Sequence, residues 1–214
     1  MLRKLNEEIL LNLESEIKDH KLSGPLLVNS EIEFKDNIDK SKSIMYIGQE
    51  TNGWLNKGTV EDFENLYKEF LYNNNYNKEF WRFVKRIIEE QTSLKNILWA
   101  NTFICGKKDE LGTPFISDKL EEISKKYLVS LYTHFKPDMT IIVAGPNNPY
   151  YEIIKEFLKE IDSKLSGEYP KLSDIIVSDE SKDIHYTYHP NYLNRKLVFK
   201  ETADILKKIY KRTN

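Results

Sequence analysis

The chain has 214 residues, of which 40% are hydrophobic and 31% charged, so it is long enough for one globular domain with a sizeable core. Its formal net charge of −2 excludes a global field that attracts nucleic acid. There is no run of about 18 apolar residues, so we expect no membrane span and no membrane partner. A single cysteine, Cys105, excludes an internal disulfide and a cluster held by cysteines alone. We expect a soluble protein of the cytoplasm.

The first half of the chain begins with an amphipathic helical pattern, in which acidic residues argue against a signal peptide. Residues 1–40 are expected to hold this N-terminal helix and a lead-in. In chain order, the apolar spacing predicts a helix at 2–18, a strand at 43–48, helices at 61–72 and 78–90 on either side of the Asn73-Asn74-Asn75 loop, and a strand at 96–103.

The second half continues the alternation of helices and strands. Ser117 is a suitable N-cap for the next helix, which should end before Lys136-Pro137 because the residue before proline disfavours the helical region. Pro149 suits the first turn of a later helix. In order, we then predict a strand at 139–145, a helix from Pro149 to about 165, a turn-like insertion at 164–172, strands at 174–177 and 184–188, and a last helix at about 194–211.

Alternating strands and helices predict the α/β class. Such a chain forms a mostly parallel sheet with helices on both faces. We therefore predict a single domain over residues 1–214, a three-layer α/β/α sandwich around a central sheet of four to five strands.

Polar residues follow the predicted strands at their carboxyl ends, which is where open α/β sheets bind ligands. The first strand ends in Gly48-Gln49-Glu50-Thr51-Asn52, and the second places Asn101 near its end. The third is followed by Gly145-Pro146-Asn147-Asn148 and the last by His189. We expect the carboxamides, the carboxylate and the imidazole to converge on one rim of the sheet.

Each of these residues also has a purely structural interpretation. Glu50 could cap a helix, and His189 could be a satisfied loop histidine. Asn101 is harder to explain in this way, because a buried unpaired amide costs roughly 1–3 kcal/mol and therefore needs a structural partner or a ligand. Seven basic residues against two acidic ones lie between His185 and Asn214, which is typical of a solvated face of a terminal helix.

Three stretches, in this order, resemble motifs of the uracil-DNA glycosylase superfamily. "GQETNGW" at 48–54 resembles the Gly-Gln-acid turn that follows the first strand. "ILWANTF" at 97–103 resembles the apolar strand whose terminal asparagine reads the base, and "HPNYL" at 189–193 resembles the second motif, His-Pro-small-x-Leu. The likeness spans roughly residues 43–196. It implies a hydrolase of DNA repair, an N-glycosylase that removes uracil or a related deaminated base, with no cofactor and no metal.

The resemblance also implies roles for individual residues. Glu50 would position or activate water, and His189 would donate to the carbonyl that gathers charge as the base leaves. Gln49 would offer its backbone N–H to a pyrimidine carbonyl, and Asn101 would bind the Watson–Crick edge.

Further residues would hold the base and the DNA. Trp54 and Phe63 are candidates for an aromatic floor, although a core position explains Phe63 equally well. Leu193 matches the wedge that fills the gap left by an extruded nucleotide. The phosphate contacts would come from Asn191, Arg195 and Lys196.

The chain departs from the family pattern at four positions. Glu50 is one methylene longer than the usual aspartate, a difference that could displace the water by about an ångström. Asn52 stands where the best-known branch has a tyrosine that excludes the thymine methyl, and Thr51 replaces a common proline. Asn191 replaces a serine. The iron–sulfur branches are excluded, because one cysteine cannot hold a cluster.

Three functions remain open from the sequence. The first is a DNA glycosylase that works as a monomer on uracil-containing or damaged DNA. The second is a module of the same fold that binds nucleic acid or a nucleotide without releasing a base. The third is an α/β protein with an unrelated small-molecule pocket.

Overall fold

The computed structural model describes residues 1–32, 42–72, 78–89, 94, 96–110, 112–146, 149–167 and 174–212. Its helices are α1 (Leu2–Asp19), α2 (Val60–Tyr72), α3 (Glu79–Ile88), α4 (Asp118–Phe135), α5 (Tyr150–Glu160), α6 (Pro190–Arg195) and α7 (Phe199–Arg212). Its strands are β1 (Ile44–Gly48), β2 (Ile97–Asn101), β3 (Met139–Ile142), β4 (Ile176–Asp179) and β5 (Ile184–Thr187). The five predicted strands are confirmed, with bounds that shift by a few residues.

The strands form one sheet in the order β2-β1-β3-β5-β4. The first four strands in this order are parallel, and β4 lies antiparallel to β5 at the edge. Helix α1 contacts α2 and α4, and α4 contacts α5, whereas α3, α6 and α7 contact one another. This is the predicted α/β class with a mostly parallel sheet, consistent with a three-layer sandwich.

Aromatic side chains pack around Trp99, in the middle of β2. Its ring centroid lies 4.9 Å from that of Trp81, 5.0 Å from Phe70 and 5.4 Å from Trp54. The Tyr67 hydroxyl accepts a hydrogen bond from the Trp99 backbone N–H at 2.8 Å and donates one to the Trp99 carbonyl at 3.0 Å. We call these five residues the aromatic cluster. It holds β2 against α2 and α3.

The predicted ends of α4 are confirmed. The Ser117 hydroxyl accepts a hydrogen bond from the backbone N–H of Leu120 at 3.1 Å, which is the geometry of an N-cap. The helix ends at Phe135, and Lys136, directly before Pro137, adopts the left-handed conformation with φ 46°. Sequence alone identified this helix at both ends.

Two helix ends differ from the prediction. Helix α5 ends at Glu160 rather than near 165, and the expected C-terminal helix is two helices, α6 and α7. A non-glycine residue takes the left-handed conformation after each of α5 and α6, namely Asp162 with φ 55° and Leu197 with φ 60°. The next residue then bonds back to a carbonyl five positions earlier, as in Ser163 N–H to Leu158 at 2.8 Å. This is a Schellman ending, which is usually made by glycine.

Some predicted features fall outside the described residues. These are the Asn73-Asn74-Asn75 loop, Asn147 and Asn148, the end of the lead-in, and residues 168–172 of the predicted insertion. Within the described part of the chain, none of the helices has the length and apolar character needed to cross a membrane.

A buried hydrogen-bond network attaches α1 to the domain. The Glu64 carboxylate on α2 is almost fully buried and accepts hydrogen bonds from Asn6 at 2.7 Å, Arg3 at 2.9 Å and Ser30 at 3.0 Å. Asn6 in turn accepts a hydrogen bond from the Tyr127 hydroxyl on α4 at 3.0 Å. Helices α1 and α2 therefore meet at the Glu64 carboxylate, and α4 joins the network through Asn6.

We predict that Glu64→Ala lowers the free energy of unfolding by about 2–4 kcal/mol, because it leaves the buried Asn6 amide and two other donors without their acceptor. Glu69→Ala, an exposed change on the same helix, should alter it by less than about 0.5 kcal/mol. Urea denaturation followed by circular dichroism measures both. Equal effects of the two substitutions would contradict the role given to Glu64.

Candidate active site

The carboxyl ends of β1, β2, β3 and β5 lie along one edge of the sheet, as predicted. The hydrogen bonds between β1 and β2 continue beyond the strands, because the Phe103 N–H donates to the Gln49 carbonyl at 2.9 Å. The Gln49 side chain donates to the Ala144 carbonyl at 2.7 Å, and the Tyr186 hydroxyl donates to the Gly145 carbonyl at 2.6 Å. The loops that follow β1, β2 and β3 are therefore joined to one another, and the third of them is bonded to β5.

Asn101 ends β2 and presents an unpaired donor. Its side chain is buried, with 5% of the residue exposed, and its Oδ1 accepts a hydrogen bond from Trp99 Nε1 at 3.1 Å. Its Nδ2 is buried and has no hydrogen-bond partner among the residues that the structure describes. An unmet buried donor of this kind costs about 1–3 kcal/mol. A bound acceptor would remove that cost.

Phe80, at the start of α3, lies over the same place. A Cβ atom on Gly48 would be 2.7 Å from Asn101 Oδ1 and 2.8 Å from the Phe80 ring, so both side chains press against the bare glycine. The Phe80 ring also stacks with His189, at 6.1 Å between centroids and 23° between planes. Phe80 thus brings Asn101 and His189 to one place. Sequence reasoning missed Phe80, because it comes from a helix outside the three motifs.

His189 is neutral and offers one ring N–H. It is the N-cap of α6, and its Nδ1 accepts a hydrogen bond from the Asn191 backbone N–H at 3.2 Å. The proton of the neutral ring is therefore on Nε2. Burial, and then the charge of Arg195, lower the pKa of His189 to about 4. At neutral pH the ring can donate a hydrogen bond from Nε2 without carrying a charge.

Glu50 lies at the same edge and is held by a hydroxyl pair. The Tyr150 hydroxyl donates to its Oε2 at 2.6 Å, and the Thr113 hydroxyl lies 2.8 Å from the Tyr150 oxygen. Burial raises the pKa of Glu50, while the Tyr150 hydrogen bond acts in the opposite direction. Burial also raises the pKa of Tyr150, so its hydroxyl keeps the proton that it donates. The carboxylate is fixed in place but partly desolvated.

The loop that carries Glu50 is held by the segment after α1. The Ser23 and Thr51 hydroxyls lie 3.2 Å apart, and the Gly106 N–H donates to the Ser23 hydroxyl at 2.9 Å. A Cβ atom on Gly106 would be 1.8 Å from the Thr51 carbonyl oxygen, so only glycine fits there. Thr51 therefore has a structural role of its own.

The two residues predicted as an aromatic floor are core residues instead. Trp54 is buried in the aromatic cluster, and its Nε1 donates to the Pro25 carbonyl at 3.0 Å. Phe63 is buried against Gly24, where a Cβ atom would be 2.3 Å from its ring. Neither ring is free to stack on a ligand, because each is already covered by neighbouring chain. Asn52, two residues before Trp54, is exposed.

The wedge predicted at Leu193 is contradicted by its burial. Leu193 is 1% exposed, because α6 packs against α3 and α7 with this residue on its inner side. The exposed apolar residue of the segment is Leu197, at 92%, on the turn between α6 and α7. The residues predicted to contact phosphates are all exposed around it, namely Asn191, Arg195 and Lys196.

A second polar cluster lies among β4, β5 and the turn between them. The Ser178 hydroxyl is 2.8 Å from His185 Nδ1, and His185 Nε2 is 2.7 Å from Asp183 Oδ1. Both ring nitrogens of His185 are therefore engaged, and the residue is 1% exposed. We interpret this cluster as structural. Within the described ranges, this cluster included, no group of three or more His, Cys, Asp or Glu side chains is placed to hold a metal ion.

The chain matches no protein-family model, and no curated protein matches it. The function is therefore inferred from the side chains at the strand ends.

We predict that Glu50→Gln stabilises the fold at pH 7, because the amide still accepts the Tyr150 hydrogen bond and removes a partly buried charge. The pKa of Glu50 is raised in the folded state above its ordinary 4.5. The unfolded chain therefore loses this proton first, and stability falls as pH rises from about 4.5 through the folded pKa. The advantage of the variant should be present at pH 7 and absent at pH 4.

Urea denaturation at the two pH values measures this difference. Glu69→Gln, on the exposed face of α2, is the control and should show no comparable change with pH. An advantage of Glu50→Gln that is the same at pH 4 and pH 7 would show that the charge of Glu50 is not its source.

Proposed function

We propose that this chain is a hydrolase of the uracil-DNA glycosylase type, which releases uracil or a related deaminated base that has been flipped out of DNA. The observation that carries the proposal is the buried, unpaired Nδ2 of Asn101 at the rim of a parallel sheet. A ring carbonyl of a deaminated base is an acceptor of the kind that this donor lacks. The order of the three sequence motifs supports the same function.

The reaction breaks the bond between the base nitrogen and C1′ of the sugar. Negative charge builds on the departing base, and positive charge builds on the sugar. A neutral His189 with its proton on Nε2 is suited to donate to a carbonyl of the base. A donor placed in advance near a developing oxyanion can be worth roughly 10²–10³ in rate. The released base then takes its proton from solvent.

Glu50 would act on the sugar side of the bond. A carboxylate near C1′ stabilises an oxocarbenium-like centre and orients the water whose oxygen bonds to C1′, and that water then releases one proton to solvent. The Tyr150 hydrogen bond holds one carboxylate oxygen and leaves the other available for water. The partial desolvation that raises the pKa of Glu50 strengthens its interaction with a positive centre.

The partner would be DNA in spite of the net charge of −2. Extraction of a base from a duplex costs a few kcal/mol, which phosphate contacts offset. Arg195 and Lys196 are exposed just beyond His189, where they would make such contacts. We further propose that the protein works as a monomer in the cytoplasm, where the buried thiol of Cys105 would remain reduced.

The proposal is tested by an abasic-site assay with single- and double-stranded oligonucleotides that contain uracil, hypoxanthine or xanthine. We predict alkali-labile sites with at least one of these bases. Asn101→Ala and His189→Ala should each lower the rate by about 10²-fold or more. Asn12→Ala, an exposed asparagine on α1, is the matched control and should leave the rate unchanged.

Two outcomes would count against base release. No cleavage with any of the bases, together with salt-sensitive DNA binding, would favour the binding module without catalysis. Unchanged rates in both the Asn101 and the His189 variants would dismantle the proposed site.

We predict that His189 introduces no pH dependence into the rate between about pH 5.5 and 8. Its pKa in the folded state is about 4, against an ordinary 6.5, so the ring stays neutral throughout that range. Because the pKa of His189 is lower in the folded than in the unfolded chain, the unfolded chain takes up the proton first. The fold therefore becomes less stable as pH falls from 6.5 towards 4. A rate that falls around pH 6.5 in the native protein but not in His189→Gln would contradict this.

A further inference from the structure

We propose that the Trp99 indole sets the hydrogen-bonding polarity of the Asn101 amide, so that the site selects bases with a ring carbonyl and rejects bases with an amino group at the same place. Trp99 is then a positioning residue that acts through Asn101. The inference rests on the proposed function for its substrate, but it has a readout that needs no catalysis.

The indole decides which atom of the amide faces the ligand. Trp99 Nε1–H is a donor only, and it lies 3.1 Å from Asn101 Oδ1. A carboxamide turned by 180° would place its NH₂ group against the indole N–H, two donors facing each other. The same turn would lose the existing hydrogen bond. The orientation with Nδ2 towards the ligand is therefore strongly preferred.

Neighbouring residues hold the indole still. Trp99 is 6% exposed, and the Tyr67 hydroxyl binds both its backbone N–H and its carbonyl. Trp81 packs edge-on to its ring, at 4.9 Å between centroids and 85° between planes. The indole cannot swing away to accept a turned amide without disrupting the aromatic cluster.

Gly48 encloses the oxygen side of the amide. The position of a Cβ atom on Gly48 is 2.7 Å from Asn101 Oδ1, so the amide oxygen packs directly on the glycine backbone. The buried Nδ2 is the polar atom of Asn101 that remains without a partner in the described structure. Trp99 and Gly48 together leave the donor as the group that a ligand must satisfy.

An Asn101 amide that presents only its donor distinguishes deaminated bases from the amino-bearing bases from which they form. Deamination replaces an exocyclic amino group, which is a donor, by a carbonyl oxygen, which is an acceptor. Uracil differs from cytosine in this way, and hypoxanthine differs from adenine. A fixed Nδ2–H₂ group pairs with the carbonyl and opposes the amino group. The fixed amide would therefore recognise deamination itself.

The experiment removes the indole donor and measures selectivity. Trp99→Phe keeps an aromatic ring, and β-(3-benzothienyl)alanine in place of Trp99 keeps the bicyclic shape while replacing the N–H by sulfur. We expect each to lower the ratio of uracil release to cytosine release by about 10- to 100-fold, because the amide can then turn. Phe83→Leu is the matched control, since it alters a buried aromatic residue of α3 that packs on Phe199 and not on Trp99, and should leave the ratio unchanged.

A merely structural role would give a different result. Loss of packing alone would lower both rates together and leave their ratio as it was, and that result in a folded benzothienylalanine protein would overturn the proposal. Near-ultraviolet circular dichroism checks the fold of each protein.

The second readout is ligand binding followed by NMR of the side-chain amide of Asn101, assigned with Asn101→Ala. In the native protein, free uracil should shift the Asn101 NH₂ signals and free cytosine should not. With benzothienylalanine at position 99, cytosine should shift them too. Native signals that respond equally to both bases, or to neither, would overturn the proposal.

The two readouts distinguish failure of the inference from failure of the proposed function. Selective binding of uracil without any base release would remove the glycosylase activity and keep the role of Trp99. Base release whose selectivity does not change when Trp99 is replaced would support the glycosylase activity and overturn the role of Trp99.

Discussion

The parallel register of β1 against β2 is the constraint on which the site depends. It places Gly48 opposite Asn101, so that the amide packs on a residue without a side chain. Trp99 and Asn101 are two positions apart in β2 and therefore point to the same face, which allows the indole to reach the amide oxygen. A slip by one residue would turn both side chains to the opposite face and dissolve the site.

The site holds three groups in states that oppose folding. Glu50 is a partly desolvated acid, His189 is a histidine kept neutral by burial, and Asn101 has an unmet donor. The rest of the domain offsets these costs through the buried Glu64 network and the aromatic cluster around Trp99. Binding sites commonly destabilise a fold that is stabilised elsewhere, because binding groups must remain incompletely satisfied until a ligand arrives.

Sequence alone predicted the sheet, the cap at Ser117 and the shared edge of the polar residues, since these follow from local spacing and strand direction. It could not predict the Schellman endings, because Asp162 and Leu197 stand where glycine is the usual signal. Phe80 was missed because tertiary packing, not a motif, brings α3 over Gly48. The burial of Leu193 likewise depends on how α6 docks, which no local pattern specifies.

The segment at 22–28 links the beginning of the chain to the loop that carries Glu50. Ser23 bonds to both Thr51 and Gly106, and Gly24 bonds to the Leu55 carbonyl at 2.8 Å. During synthesis this segment is made before its partners around residue 106, which follow more than eighty residues later. The loop that carries Glu50 therefore cannot reach its final contacts until residue 106 has been translated, and a tag or cut near residue 23 would disturb the candidate site.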